Sequence, residues 1–350
     1  MIQKKVVILT GNDGFFGQTR KPWVSMNVKK LEKTIAEHGF EVKTYTFSDI
    51  VNGKTSIENS FIFYTFHQKP NRRNYSKDVI HFLNESSNIV IPSYDLLLCH
   101  ENKGFQELYK KRINLKSLKS YYFSSVKELQ NYTLDFPVVL KTTDSSNGKG
   151  VFLAKSEAHL LKLVSKLEKQ NLFTQLDLLR RKYFRQKKSY DLYPDYSNEK
   201  DYYQYRDYIL KESNFILQEF VPNLNYDHRV LILFDKYYIM KRFAFEGDFR
   251  ASGTKIQKLD IEVDYNLMEY AREIYSKFDT PFLSIDIGSH KGNYCLFEFQ
   301  AHHFGINVFV KSKGYYTHEN NSWKYNKCKP KIETEIASGL VRYINSKFFS

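Results

Sequence analysis

A chain of 350 residues that is 42% hydrophobic and 16% aromatic can bury a sizeable core in two or three domains, which excludes a disordered protein. Its 53 basic residues against 39 acidic leave a net charge of +14, so partners are expected among anions: nucleotides, nucleic acid, anionic lipid or acidic substrates. No window approaches the roughly eighteen apolar residues of a membrane span, and Cys99, Cys295 and Cys328 are too few and too scattered for a metal motif or a disulfide framework.

The opening MIQKKVVILTGNDG reads as a first core strand, because its apolar run is too short for a signal peptide and no small-residue cleavage site follows. A cytoplasmic location is the expectation. SMNVKKLEKTIAEHGF follows as an amphipathic helix, with Ser25 as a cap and Gly39 as its stop. EVKTYTF, SFIFYTF and NIVIPS read as strands and KDVIHFLNES as a helix, an alternation that predicts a parallel α/β layer. GNDGFFG after the first strand invites a dinucleotide reading, but its glycine spacing and its two phenylalanines favour a plain strand-to-helix loop.

Residues 100–129 look helix-rich and basic. LKTTDSSNGKGVFLAKS (140–156) then reads as strand, glycine loop, strand, and such a loop lets backbone approach something closely, often phosphate. Periodicity predicts a helix over 157–172. Residues 173–214, with RRKYFRQKK running into a tyrosine-rich stretch, could stack single-stranded nucleic acid, but an exposed, charge-laced helical insertion is the better reading. From 215 the chain turns strand-rich, with hairpin turns at Asp235-Lys236 and within 289–293. An amphipathic helix ends it.

On FEFQ, period-two geometry puts Glu298 and Gln300 on one face and Phe297 and Phe299 on the other. Asp286 in SIDIG lies one hairpin away. Two carboxylates and an amide oxygen suit a hard cation such as Mg2+; taken in isolation, an edge hairpin with its polar side to water is the better reading.

The order of these pieces is more specific than any one of them. Lys103 in ENKGFQ, Lys141 beside the glycine loop, LQEFV, DHRVLIL, KRFAFEGDFRASG and the Asp/Glu/Gln hairpin follow one another over roughly residues 100–310. In that order they resemble the ATP-grasp superfamily, and within it the glutathione synthetase and RimK-type ligases that join amines to carboxylates. The resemblance implies an α/β (α+β) ATP-grasp fold: a Rossmann-like pre-ATP-grasp domain over 1–100, then lobes over 101–216 and 217–350 that clamp the nucleotide. It implies ATP with Mg2+, or Mn2+, as cofactors, and an amide formed through an acyl phosphate. Lys103 and Lys141 would bind phosphates, and Ser145, Ser146, Gly148, Lys149 and Gly150 would form a lid. Gln218, Glu219, Phe220 and Val221 would meet adenine and ribose. Asp286, Glu298 and Gln300 would hold metal, and Arg242 and Arg250 would neutralise the transferring phosphoryl group, with Asp227 and Arg229 orienting strand and substrate.

Two departures stand out. Gln300 replaces the usual asparagine, and Ala251-Ser252-Gly253 replaces an expected asparagine after Arg250. His302 and His303 follow the metal strand, where a structural role outweighs a catalytic one. The expected partners are a small-molecule carboxylate and an amine, with an acidic sugar or amino acid of cell-surface metabolism as one guess. A homodimer is compatible. A phosphotransferase acting on a hydroxyl and a basic nucleic-acid-binding protein are the rival readings.

Overall fold

The computed structural model describes residues 3–17, 23–144, 148–184, 198–251, 253–254, 256–259, 263–329 and 331–350. They group into two compact units, one of residues 1–118, 146–148 and 221–350 and another of 119–145 and 149–220.

The first unit opens with β1 (Lys5–Thr10), α1 (Val28–Ala36), β2 (Glu41–Thr46), α2 (Phe47–Val51), β3 (Phe61–Tyr64), α3 (Pro70–Asn84), β4 (Ile89–Ile91), α4 (Tyr94–Cys99) and α5 (Lys103–Arg112). The four strands form a parallel sheet in the order β2-β1-β3-β4. β1 and β3 are buried along their length, as strands covered on both faces must be. The cap of α1 differs from expectation. Asn27 accepts from the Lys30 N–H at 3.1 Å, while the Ser25 hydroxyl accepts from the Phe16 N–H at 2.9 Å and so ties down the loop after β1 instead.

The second unit holds β5 (Ser120–Phe123), a short 3-10 turn at Val126–Asn131, β6 (Val138–Thr142), β7 (Val151–Ala154), α6 (Glu157–Leu167), α7 (Leu172–Tyr183), α8 (Asn198–Ile209) and β8 (Phe215–Glu219). Its strands pair antiparallel in the order β5-β8-β6-β7, over a core that includes Phe123, Leu140, Leu160, Val164 and Leu217. β5 corrects the helix-rich reading of 100–129: Tyr121, Tyr122 and Phe123 favour a strand, and Leu217 and Ile216 supply its pairing partners.

The first unit resumes with β9 (Tyr226–Leu233), β10 (Lys236–Phe243), β11 (Gln257–Leu259), α9 (Tyr265–Ser276), β12 (Phe282–His290), β13 (Asn293–Gln300), α10 (Asn307–Lys311), β14 (Gly314–Glu319), β15 (Ser322–Lys327) and α11 (Ile332–Phe348). These strands make a second, antiparallel sheet, β13-β12-β9-β10-β14-β15, with β11 also on β10. One core cluster joins the two sheets of this unit, with Phe63 of β3 against Phe282 of β12. The β9–β10 turn is Phe234-Asp235, not Asp235-Lys236. Phe234 takes the left-handed conformation at φ 58°, held by its N–H donating to the Pro281 carbonyl at 2.7 Å. Among the described residues no helix is long and apolar enough to cross a membrane.

Candidate active site

Three neighbouring strands carry the charged centre of the first unit. Arg229 on β9 stands opposite Asp286 on β12, and Asp286 stands opposite Glu298 on β13. Residues directly opposed across a sheet share a face, so these three side chains form one row, with Gln300 two residues along. The register slips by one residue just after Asp286, and this bulge changes the expectation for Phe297. Phe299 joins the core with Ile285, whereas Phe297 packs with Leu118, Val221, Leu224 and Cys295. Any side chain at Gly288 would run into the Phe297 ring.

Asp286 is the hub of a buried ion network. Arg229 donates to its two oxygens from Nε at 2.8 Å and Nη2 at 2.9 Å, and Arg242 Nη2 adds a contact at 2.9 Å. Arg242 also grips Asp227 through Nε and Nη2, both at 2.6 Å. Asp227, Arg242 and Asp286 are all buried. Burial alone would raise the Asp286 pKa, but Arg229 and then Arg242 hold it well below the usual carboxylate range. Asp227 and Arg229, adjacent in the motif, therefore serve different partners, and neither is a surface ion pair.

The same row turns outward at its far edge. The Glu298 side chain is 28% exposed, and the Lys103 ammonium, at the first position of α5, lies 3.5 Å from its Oε1. Asn102 caps α5 by accepting from the Phe105 N–H at 3.1 Å and so fixes where Lys103 starts. The donors on this face are oxygens, with no thiol or imidazole among Asp286, Glu298 and Gln300, and such a set fits Mg2+ or Mn2+. Glu298 and Gln300 are half-buried, and Asp286 Oδ1, which takes one arginine bond, keeps lone-pair capacity, whereas Oδ2 already takes two. Among the described residues no three His, Cys, Asp or Glu side chains cluster as a metal site.

In the second unit Lys141 donates to Gln218 Oε1 at 2.6 Å, from β6 to the neighbouring β8. An ammonium only donates, so the amide orientation is fixed and Gln218 Nε2 faces away, buried and without a partner among the described residues. The glycine loop joins β6 to β7 as a hairpin, closed by the Thr142 N–H on the Gly150 carbonyl at 2.9 Å. Gly148 and Gly150 both sit at φ near +70°, where only glycine is unstrained. Lys149 is exposed; Ser145 and Ser146 lie outside the described residues. The Glu219 N–H donates to the Lys119 carbonyl at 2.8 Å, Phe220 ends this unit, and Val221 begins the return to the first. Arg250 lies in the stretch between β10 and β11, where Asp248 accepts from its Nη2 at 2.8 Å.

Two features were not legible as a site. The loop after β1 and the loop after β3, with the first turns of α3, enclose a cavity of about 160 Å3 lined by Gly11, Asn12, Asp13, Phe15, Phe47, Phe66, His67, Arg72, Tyr75 and Ser76. β2 lies on one side of β1 and β3 on the other, so this cavity sits at the carboxyl ends of the strands where the sheet order reverses, a favoured ligand position. The first described helix after GNDGFFG is α1, which starts only at Val28, so among the described residues no helix opens on this loop.

The second is a histidine cluster. His302 is wholly buried against Tyr64 and Phe66, and neither of its ring nitrogens has a partner among the described residues. His303 Nε2 lies 2.7 Å from the Phe66 carbonyl and therefore carries the proton. Burial, the largest cause for each, holds His100 and His302 well below the ordinary histidine pKa and lowers His303 to about 4. The unfolded chain protonates these groups near pH 6.5 and the folded chain only near pH 4 or below. Their stability is therefore present above pH 6.5 and lost as pH falls from 6.5 toward 4. At pH 5.5 each histidine should cost about 1.4 kcal/mol, measurable as a fall in urea midpoint that His302→Phe reduces.

Residues 100–193 match the model of the RimK-like ATP-grasp domain. No curated protein matches the chain. Among solved structures, the chain is similar to a RimK-domain ATP-grasp protein from Sphaerobacter thermophilus, with a TM-score of 0.50, 9% identity, and 97% of this chain and 98% of that chain covered. It is also similar to the D-cycloserine synthetase DcsG, with a TM-score of 0.51, 10% identity and 97% and 99% covered. A RiPP-associated ATP-grasp ligase from Chryseobacterium gregarium, solved with ADP and a leader and core peptide, gives 0.51, 11% and 96% of each chain. At such identities the structures speak for the fold, and the family model speaks for the domain. Residues 100–193 therefore resemble the RimK-like ATP-grasp domain, and the chain as a whole shares its fold with these ATP-grasp structures.

Proposed function

We propose that the protein joins a small carboxylate to an amine. The carboxylate oxygen attacks the γ-phosphorus of ATP and ADP departs; the amine nitrogen then attacks the acyl carbon, phosphate leaves, and the amine gives up a proton. Lys103 and Lys141 bind the phosphates as compact charges, and the 145–150 loop covers them. The buried Nε2 donor of Gln218 seeks an acceptor such as an adenine nitrogen, with Glu219, Phe220 and Val221 completing that wall. Glu298, Gln300 and Asp286 would hold Mg2+, which neutralises phosphoryl charge. Arg242, locked by Asp227 and Asp286, supplies a fixed positive field, and Arg250 a more exposed one.

The observation that carries this reading is the row Arg229–Asp286–Glu298 with Lys103 at its open edge. Two carboxylates face each other there, at a cost that bound cations would offset. The cavity behind β1 and β3, with Arg72 and Asp13 among aromatic walls, fits as the acceptor pocket. Dependence on ATP suits a cytoplasmic setting.

The test is ADP release from wild type with pooled carboxylates and amines, with product masses and a Glu298→Ala control. The expected result is ADP formation that needs both a carboxylate and an amine, with an amide product. ADP formation yielding a stable phosphoester on a hydroxyl would overturn the ligase reading.

A further inference from the structure

We propose that α7 is a seam for a second copy of this chain, packed antiparallel about a two-fold axis passing between Asp177 and Leu178. One face of α7 is occupied by α8: Arg181 pairs with Asp201 at 3.5 Å and covers the Tyr205 ring, whose hydroxyl donates to Asp177. On the opposite face Leu172, Leu176, Leu179 and Tyr183 are 74%, 61%, 51% and 64% exposed. α7 has no buried residue at all, which is unusual for a helix carrying six large apolar side chains.

The spacing says what covers this face. Steps of 4, 3 and 4 residues are those of a coiled-coil seam. About an axis between 177 and 178, residue 172 meets 183 of the other copy and 176 meets 179, so large apolar groups oppose each other at every level. Such a self-complementary patch is what a two-fold dimer requires. Charge sets the direction. A parallel pair would bring Arg180 and Lys182 level with their own copies, whereas the antiparallel pair sets Arg180 beside Phe173 and Lys182 beside Gln175, both uncharged. Arg180 then reaches the exposed Phe173 ring of the other copy.

Other occupants fit less well. Together α7 and α8 carry five basic residues and four acidic, too balanced for an anionic lipid surface. The intervening residues 185–197, RQKKSYDLYPDYS, lack the 4-3-4 apolar spacing of this face. Two twelve-residue helices bury less than the roughly 1,600 Å2 of a standard interface, so the dimer should be weak and concentration-dependent.

Sedimentation velocity of the full chain from low to high micromolar concentration should show monomer passing to dimer. Leu176→Arg with Leu179→Arg should stay monomeric over that range, with unchanged far-UV circular dichroism and ADP release. In a Cys328→Ser background, Leu172→Cys combined with Tyr183→Cys should give an interchain disulfide on diamide oxidation, and either cysteine alone should not. A wild type that stays monomeric, a double-arginine variant that still dimerises, or cross-linking through Leu172→Cys alone would overturn the proposal. So would a monomeric wild type that binds phosphatidylglycerol vesicles through these leucines.

Discussion

Asp286→Ala should lower the unfolding free energy by about 3–5 kcal/mol, the range for breaking a buried ion pair by removing one partner. Removing that carboxylate takes away the shared counter-ion of two guanidiniums, one of which, Arg242, is itself buried. Asp227 can balance Arg242, but the Arg229 fork loses both of its acceptors. Asp286→Asn should recover only part of the loss, because the amide keeps the shape and one acceptor but not the charge. Urea unfolding followed by fluorescence measures both variants. A loss below about 1 kcal/mol for Asp286→Ala would mean that the network contributes little beyond its packing.

Glu298→Ala should behave in the opposite way. Glu298 is partly exposed and its ion-pair partner Lys103 stands at 3.5 Å, so stability should change by under about 1 kcal/mol. ADP release should fall by about 10²-fold or more, the scale for losing one group that stabilises developing charge, and the Mg2+ concentration for half-maximal rate should rise. A variant with wild-type turnover and Mg2+ dependence would remove Glu298 from the chemistry. Asp286 and Glu298 stand directly opposite each other, yet one is expected to answer mainly in stability and the other mainly in rate.

Much of this was legible in the sequence. The alternation of strands and helices in the first hundred residues fixes a parallel layer, and period two puts Glu298 and Gln300 on one face. The pairing of Arg242 with Asp227 was hidden by a single residue. A two-residue turn at Asp235-Lys236 would set Arg242 opposite Arg229, like charge against like; the actual turn at Phe234-Asp235 sets it opposite Asp227. Aromatic residues are poor left-handed turn formers, so local propensity points to the wrong turn. The bond to Pro281 and the Arg342 guanidinium over the Phe234 ring override it. Phe297 was misplaced for a related reason, since a bulge adds one residue that no periodicity marks. The cavity behind β1 and the His302–Tyr64–Phe66 cluster join segments 50 to 240 residues apart, which one sequence cannot bring together.

The most direct test is calorimetric titration of Mg·ATP into wild type, Lys141→Ala and Glu298→Ala. If Lys141 and Glu298 serve one nucleotide, wild type binds Mg·ATP at a single site and each variant weakens it by about tenfold or more, near 1.4 kcal/mol. Wild-type affinity in either variant would contradict the account.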